Sequence, residues 1–70
     1  MKAVNMKGYK FSTSGGYKFT ISGFGILDEE TGTFASFDGR TPYVLRSKKL
    51  IQSCIEAGWT ESMKRVTPAA

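Results

Sequence analysis

Gly8-Tyr9-Lys10-Phe11-Ser12-Thr13-Ser14-Gly15 is followed at once by Gly16-Tyr17-Lys18-Phe19-Thr20-Ile21-Ser22-Gly23, one phrase written twice. Aromatics at alternate positions with a lysine between them are the two-residue period of a β-strand. The glycines at the junction supply a turn, so the repeat reads as a β-hairpin. Its loop length decides which side chains share a face. A two-residue turn at Gly15-Gly16 would pair odd positions with even ones and set Tyr9 and Phe11 against Tyr17, Phe19 and Ile21. A three-residue loop at 14–16 instead pairs Thr13 with Tyr17, Phe11 with Phe19 and Tyr9 with Ile21, and gives Gly16 the positive φ of a G1 bulge. That register gathers the large apolar groups and leaves Lys10, Ser12, Lys18 and Thr20 on the other face, so it is the one expected. Phe11, Phe19 and Ile21 are then expected to form a core beneath a helix, with Tyr9, Tyr17 and Phe24 nearer its margin.

Upstream, residues 1–7 lead into the first strand. Downstream, the second strand is expected to run on to Leu27, with a bulge or bend at Gly23 and Gly25. Residues 28–32 read as a polar loop and 33–37 as a third strand. Asp38-Gly39 signals a tight hairpin turn, and residues 40–46 a fourth strand with Pro42 near its start or on an edge. Ser47 suits the N-cap of a helix from Lys48 to about Ala57, and Gly58 its stop. Leu50, Ile51, Cys54, Ile55 and Ala57 fall on one side of that helix, and Lys48, Lys49, Gln52, Ser53 and Glu56 face outwards. Trp59 is expected to fold back on the sheet or the helix end. Residues 60–66 read equally as a short strand or a frayed turn, and 67–70 as a loose, flexible tail. The fold expected is therefore α+β, in ββββα order. A small antiparallel four-stranded sheet, made of two hairpins, is followed by one helix packed on a face, in a single domain over residues 1–66.

At 70 residues the chain buries only about 60% of its unfolded surface, which leaves a thin core and makes a homodimer a natural expectation. No stretch is apolar enough for a signal-peptide core or a membrane span, so the expected location is the cytoplasm, of a cell or of a virus-infected host. Catalytic and metal chemistry find little equipment. There is no histidine, the commonest member of triads and metal sites. Cys54 lies on the helix's apolar stripe with no base beside it in sequence, which marks a core residue rather than a nucleophile. Asp28-Glu29-Glu30 lacks the ligand spacing of a calcium loop. Ser12, Thr13 and Ser14 beside Gly15-Gly16 lack the spacing and lysine of a P-loop. The sequence thus points to a non-enzymatic protein with no catalytic residues, no metal and no cofactor.

Charge is more informative. Ten Lys and Arg face six Asp and Glu, a net charge of +4, and the cations are segregated. Residues 1–27 hold Lys2, Lys7, Lys10 and Lys18 with no acid; residues 39–55 hold Arg40, Arg46, Lys48 and Lys49, again with none. Lys48 and Lys49 also occupy the first helical turn, where the macrodipole disfavours cations and a bound phosphate would compensate. The partner-binding candidates are therefore Lys10, Lys18, Arg40, Arg46, Lys48 and Lys49 for phosphate, with Phe24 or Tyr43 stacking. Phe24 is the ring expected to be exposed, because the glycines around it break the alternation.

Gly23-Phe24-Gly25-Ile26 and Thr33-Phe34-Ala35-Ser36-Phe37 together resemble the nucleic-acid-binding strands of cold-shock domains. The likeness is confined to residues 23–37. The intervening loop is shorter, Ser36 stands where those domains carry histidine, and a helix follows where they continue with strands, so no function is carried over. Two readings follow from the residues themselves. The first is a nucleic-acid-binding module using a sheet face and the helix N-terminus. The second is a protein-binding regulator or inhibitor, of the phage-like or mobile-element kind, that engages a host or defence protein through a strand edge or aromatic patch.

Overall fold

Alternation along residues 24–28 sends Ile26 to one side and Gly25 and Leu27 to the other, and both sides are covered. This strand, β4 (Phe24–Asp28), therefore needs a layer on each face. In the computed structural model, which describes residues 1–13 and 15–69, it has them. Strand β1 (Lys2–Asn5) pairs along one edge of β4, matching Ala3 with Ile26. The other edge is shared: β5 (Thr33–Ser36) takes its C-terminal end, Leu27 opposite Phe34, and β6 (Val44–Leu45) its N-terminal end, Gly25 opposite Val44. Strand β7 (Lys64–Val66) adds outside β5, with Ala35 opposite Arg65. All pairings are antiparallel. Helix α1 (Lys48–Glu56) covers one face, and a short ribbon of β2 (Phe11–Ser12) and β3 (Lys18–Phe19) covers the other. The class is α+β, with a strand set larger than four and a strand after the helix.

Each face has its own core. On the helix side, Ala3 and Ala35 flank Ile26, and these small side chains admit Ile51 and Cys54 of α1. On the ribbon side, Met6, Phe11 and Phe34 are fully enclosed, with Tyr9, Phe19, Ile21 and Val66 packed around them. Phe34 meets the rings of Tyr9 and Phe11 edge-on, at centroid distances of 4.8 and 5.5 Å. Gly25 makes the layer fit: a Cβ there would lie 2.5 Å from Met6 Sδ. Tyr9, Phe11, Phe19 and Ile21 of the repeat thus pack against the sheet face opposite the helix, not beneath the helix as expected, and Tyr17, expected at the core's margin, is exposed beside the loop. One sheet with two apolar faces needs two covers, and the ribbon supplies the second.

The ribbon's register is the expected one. Phe11 pairs with Phe19, Thr13 N donates to Tyr17 O at 2.8 Å, and Gly16 has φ +85; Ser14, the first loop residue, lies outside the described residues. Several neighbouring expectations change. β1 does not run into β2, because Met6–Gly8 forms a 3-10 turn capped by the Asn5 side chain. β3 does not run into β4, because Gly23 sits at φ +123 with its carbonyl accepting from Met6 N at 2.9 Å. Residues 40–46 yield only Val44–Leu45 as strand, and it pairs with β4 rather than forming a hairpin ladder with β5. The helix ends as expected, with Ala57 at the C-cap and Gly58 at φ +78, and Ser47 occupies the N-cap position without a side-chain capping bond. After a 3-10 turn at Trp59–Ser62, the undecided residues 60–66 supply β7. Ala69 then donates its N–H to Lys10 O at 2.7 Å, so the stretch read as a tail runs beside the ribbon. No helix is long and apolar enough to cross a membrane, among the described residues.

Candidate functional site

The ribbon side of the molecule carries an open groove lined by Arg40, and a tight polar turn builds one wall of it. Asp38 follows β5 by two residues, and its Oδ1 accepts from Arg40 N at 2.8 Å and Thr41 N at 3.0 Å. Buried Ser36 supports this from below. Its hydroxyl is directed at Asp38 Oδ1, 3.0 Å away, and at the Thr41 carbonyl, while its oxygen accepts from Gly39 N at 2.9 Å. The Thr41 amide first, then the Arg40 amide and the Ser36 hydroxyl, hold the Asp38 carboxyl well below its ordinary value of 3.8. The acid in this basic region is thus spent on fixing the turn that presents Arg40. An open cavity of about 670 Å³ runs between that turn, the ribbon and the chain beyond β7, lined in part by Ser12, Thr13, Phe19, Arg40, Thr41 and Thr67. Lys18 stands opposite Ser12 in the ribbon, and the Lys64 stem lies against Gly39, whose added Cβ would meet Lys64 Cδ at 3.5 Å.

The helix side carries a second depression of different character. Tyr43, Leu45, Leu50, Cys54 and Trp59 line an apolar groove of about 350 Å³ along α1. Leu50 is 56% exposed and Trp59 54%. Phe37, 66% exposed, meets Tyr43 edge-on at 4.8 Å and extends the patch. Burial, then the neighbouring Cys54, raises the Tyr43 phenol above its ordinary value of 10.0. Leu50 and Ala57, expected to face the core, are instead exposed, and Trp59 returns to the helix end, where it lines the groove with about half of its surface uncovered. The physical reason is geometric: a helix resting on a sheet buries a narrow stripe, here Ile51 and Cys54 with Ile55 partly covered, and the rest of its apolar arc is left over.

The expected site residues therefore divide between two surfaces. Lys10 and Lys18 are exposed on the ribbon, Lys18 opposite the groove-lining Ser12, and Arg40 lines the groove itself. Arg46, Lys48 and Lys49 are exposed at the start of α1, in the layer on the other side of the sheet, with no acid in the first helical turn. Tyr43 belongs to the apolar groove. Phe24 is not an exposed ring: it is half-buried and packs on the helix-side core, because its alternation with Ile26 continues through Gly25. Sequence reading passed over Lys64 and the groove-lining role of Phe19. In β7, Lys64 and Val66 share one face and Arg65 takes the other, with only Val66 partly buried, so its three residues carry no apolar alternation that marks a strand. No protein-family model, curated protein or solved structure matches the chain. Among the described residues, no group of three or more His, Cys, Asp and Glu could hold a metal ion.

Proposed function

We propose that this protein is a non-enzymatic module that binds a nucleic-acid backbone on the ribbon side of its sheet. One observation carries the reading. Lys10, Lys18, Arg40 and Lys64 come from four separate stretches of chain to the surroundings of one open groove, whose walls include the hydroxyls of Ser12, Thr13, Thr41 and Thr67. Guanidinium, ammonium and hydroxyl groups are the donors that hold phosphate oxygens. The ring of Phe19 at the groove offers a base one apolar surface, which favours a single strand over a duplex. Cytoplasmic action fits the free thiol of Cys54.

Four phosphate contacts predict a strong salt dependence, since each contributes about −0.7 to the slope of log affinity against log salt for single strands. Raising salt from about 50 to 200 mM should then weaken binding by roughly 50-fold. Fluorescence anisotropy with labelled single-stranded DNA and RNA of mixed sequence measures this. Arg40→Ala and Lys64→Ala should each flatten the slope by about 0.7, whereas Lys48→Ala, on the opposite layer, should not. A salt-independent signal, or equal losses from Lys48→Ala and Arg40→Ala, refutes the assignment. The competing reading, a regulator that grips a host protein, is the outcome if no nucleic acid binds at low salt and a nuclease-treated lysate still yields one defined partner.

A further inference from the structure

The apolar groove on the helix side has a charge pattern that fits one occupant. Along α1, Leu50, Ser53, Cys54 and Ala57 form the groove's helical wall. Beside that wall runs a second stripe, Lys49 and Glu56, seven residues and so two turns apart. The basic residues Arg46 and Lys49 stand at the N-terminal end of the groove, and Glu56 and Glu61 at its C-terminal end. None of these four takes part in an ion pair among the described residues, where the pairs formed are Lys2 with Glu29 and Arg65 with Asp28. A surface that is basic at one end, acidic at the other and apolar between is complementary to itself turned end for end.

We infer that the groove is closed by a second copy of this chain, with the two α1 helices antiparallel across a two-fold axis at Ser53. Such an isologous contact brings each basic end onto the partner copy's acidic end, so every attraction occurs twice. The centre of the contact is suited to close approach. Ser53 is small, and its hydroxyl already donates to Lys49 O at 3.0 Å, so burying it leaves no polar group without a partner. Leu50 of each helix faces the Glu56–Ala57 turn of the other. Trp59 lies just beyond the C-terminal end and meets the Arg46–Ser47 end of the second copy, where a guanidinium can lie on the indole face. A standard interface takes about 800 Å² from each partner, roughly a sixth of this molecule's 4750 Å² surface. One helical face with the Phe37, Tyr43 and Trp59 rings is the continuous apolar region from which to supply it. The ribbon groove lies on the other side of the sheet and stays open in the pair. The inference does not depend on what that groove binds.

Sedimentation equilibrium over a concentration series tests it, with the emission of Trp59, the chain's single tryptophan, as a second readout. The mass should rise from 7.7 kDa towards twice that value, and the emission should shift to the blue over the same range. Leu50→Glu should hold the chain at 7.7 kDa with an unchanged circular dichroism spectrum, because Leu50 lies outside both cores. Lys49 and Glu56 are about 10 Å apart along one helix, too far to pair within the chain, so coupling between them reports the contact between copies. Lys49→Glu and Glu56→Lys should each weaken association roughly tenfold by turning two attractions into repulsions. The double exchange should return it to within about threefold of the starting value. A mass fixed at 7.7 kDa throughout overturns the inference, as does a pair that both single reversals leave unweakened or that the double exchange fails to restore. Capture of a different protein by a monomeric chain, lost in Leu50→Glu, also overturns it and assigns the groove to that protein.

Discussion

Gly23→Ala is the substitution that most directly tests how the two sheet faces are joined. Gly23 turns the chain from the ribbon into β4 at φ +123, a conformation that costs an L-residue about 1–3 kcal/mol. A Cβ there would also stand 2.8 Å from the Leu45 carbonyl oxygen, a backbone atom that cannot rotate away. Relief requires β6 to move off β4, loosening the Phe24–Leu45 pairing and the bond from Met6 N to Gly23 O. Each hydrogen bond so weakened adds about 0.5–1.5 kcal/mol. The expected loss is therefore about 2–5 kcal/mol, a large part of the roughly 4–10 kcal/mol that a domain of this size possesses. Two further glycines calibrate the measurement. Gly16 has φ +85 but open space around its missing Cβ, so Gly16→Ala should cost only about 1–2 kcal/mol. Gly8 has open space and no positive φ, so Gly8→Ala should lie within about 0.5 kcal/mol of the parent. Urea unfolding followed by circular dichroism resolves the series, because an m-value of about 1 kcal/mol/M converts the Gly23 loss into a midpoint shift of about 2 M or more. If Gly23→Ala unfolds at the same midpoint as Gly16→Ala, the close approach to Leu45 does not constrain the fold and the reasoning fails.

Phe34→Ala removes the fully buried ring that Tyr9 and Phe11 both meet edge-on, and should cost about 3–5 kcal/mol. Calorimetry should show the transition lowered sharply or lost, whereas Phe37→Ala, at an exposed ring, should keep a transition near the parent's. Asp38 links the turn to pH. Its carboxyl is held below 3.8 in the folded chain, so the charged form's contribution is complete above that value and is lost as pH falls through the folded one. Asp38→Asn should therefore be less stable than the parent at neutral pH, with the gap between their urea midpoints closing below about pH 3.8. A gap that stays constant down to pH 2 would place the turn's stabilisation elsewhere.

Several local features were legible in the residues alone, and the physics explains which. The ribbon register follows from keeping Phe11, Phe19 and Ile21 on one face, a constraint that acts within a dozen residues. The helix from Lys48 and its stop at Gly58 are equally short-range, whereas Asp38-Gly39 fixes a local turn without the hairpin it was expected to make. Cys54 on the apolar stripe likewise announced its burial.

What lay beyond the sequence is how its pieces meet. The aromatic repeat declares that it will be buried against something, but a period of two cannot say which layer it faces. Gly25 and Met6 settle that by close approach across the ribbon side. The same three-layer stacking moves Phe24 into the helix-side core, carries Lys64 to the turn that holds Arg40, and leaves Leu50, Trp59 and Phe37 uncovered. Sequence by itself determined the ribbon register, the bounds of the helix, the sign of the charge and the burial of Phe11, Ile51 and Cys54, because these depend on neighbours along the chain. Tertiary structure alone decided that Lys64 lies beside the turn presenting Arg40 and which apolar groups remain without a cover. Those depend on contacts between residues far apart in sequence, where a few ångströms of packing outweigh any local preference.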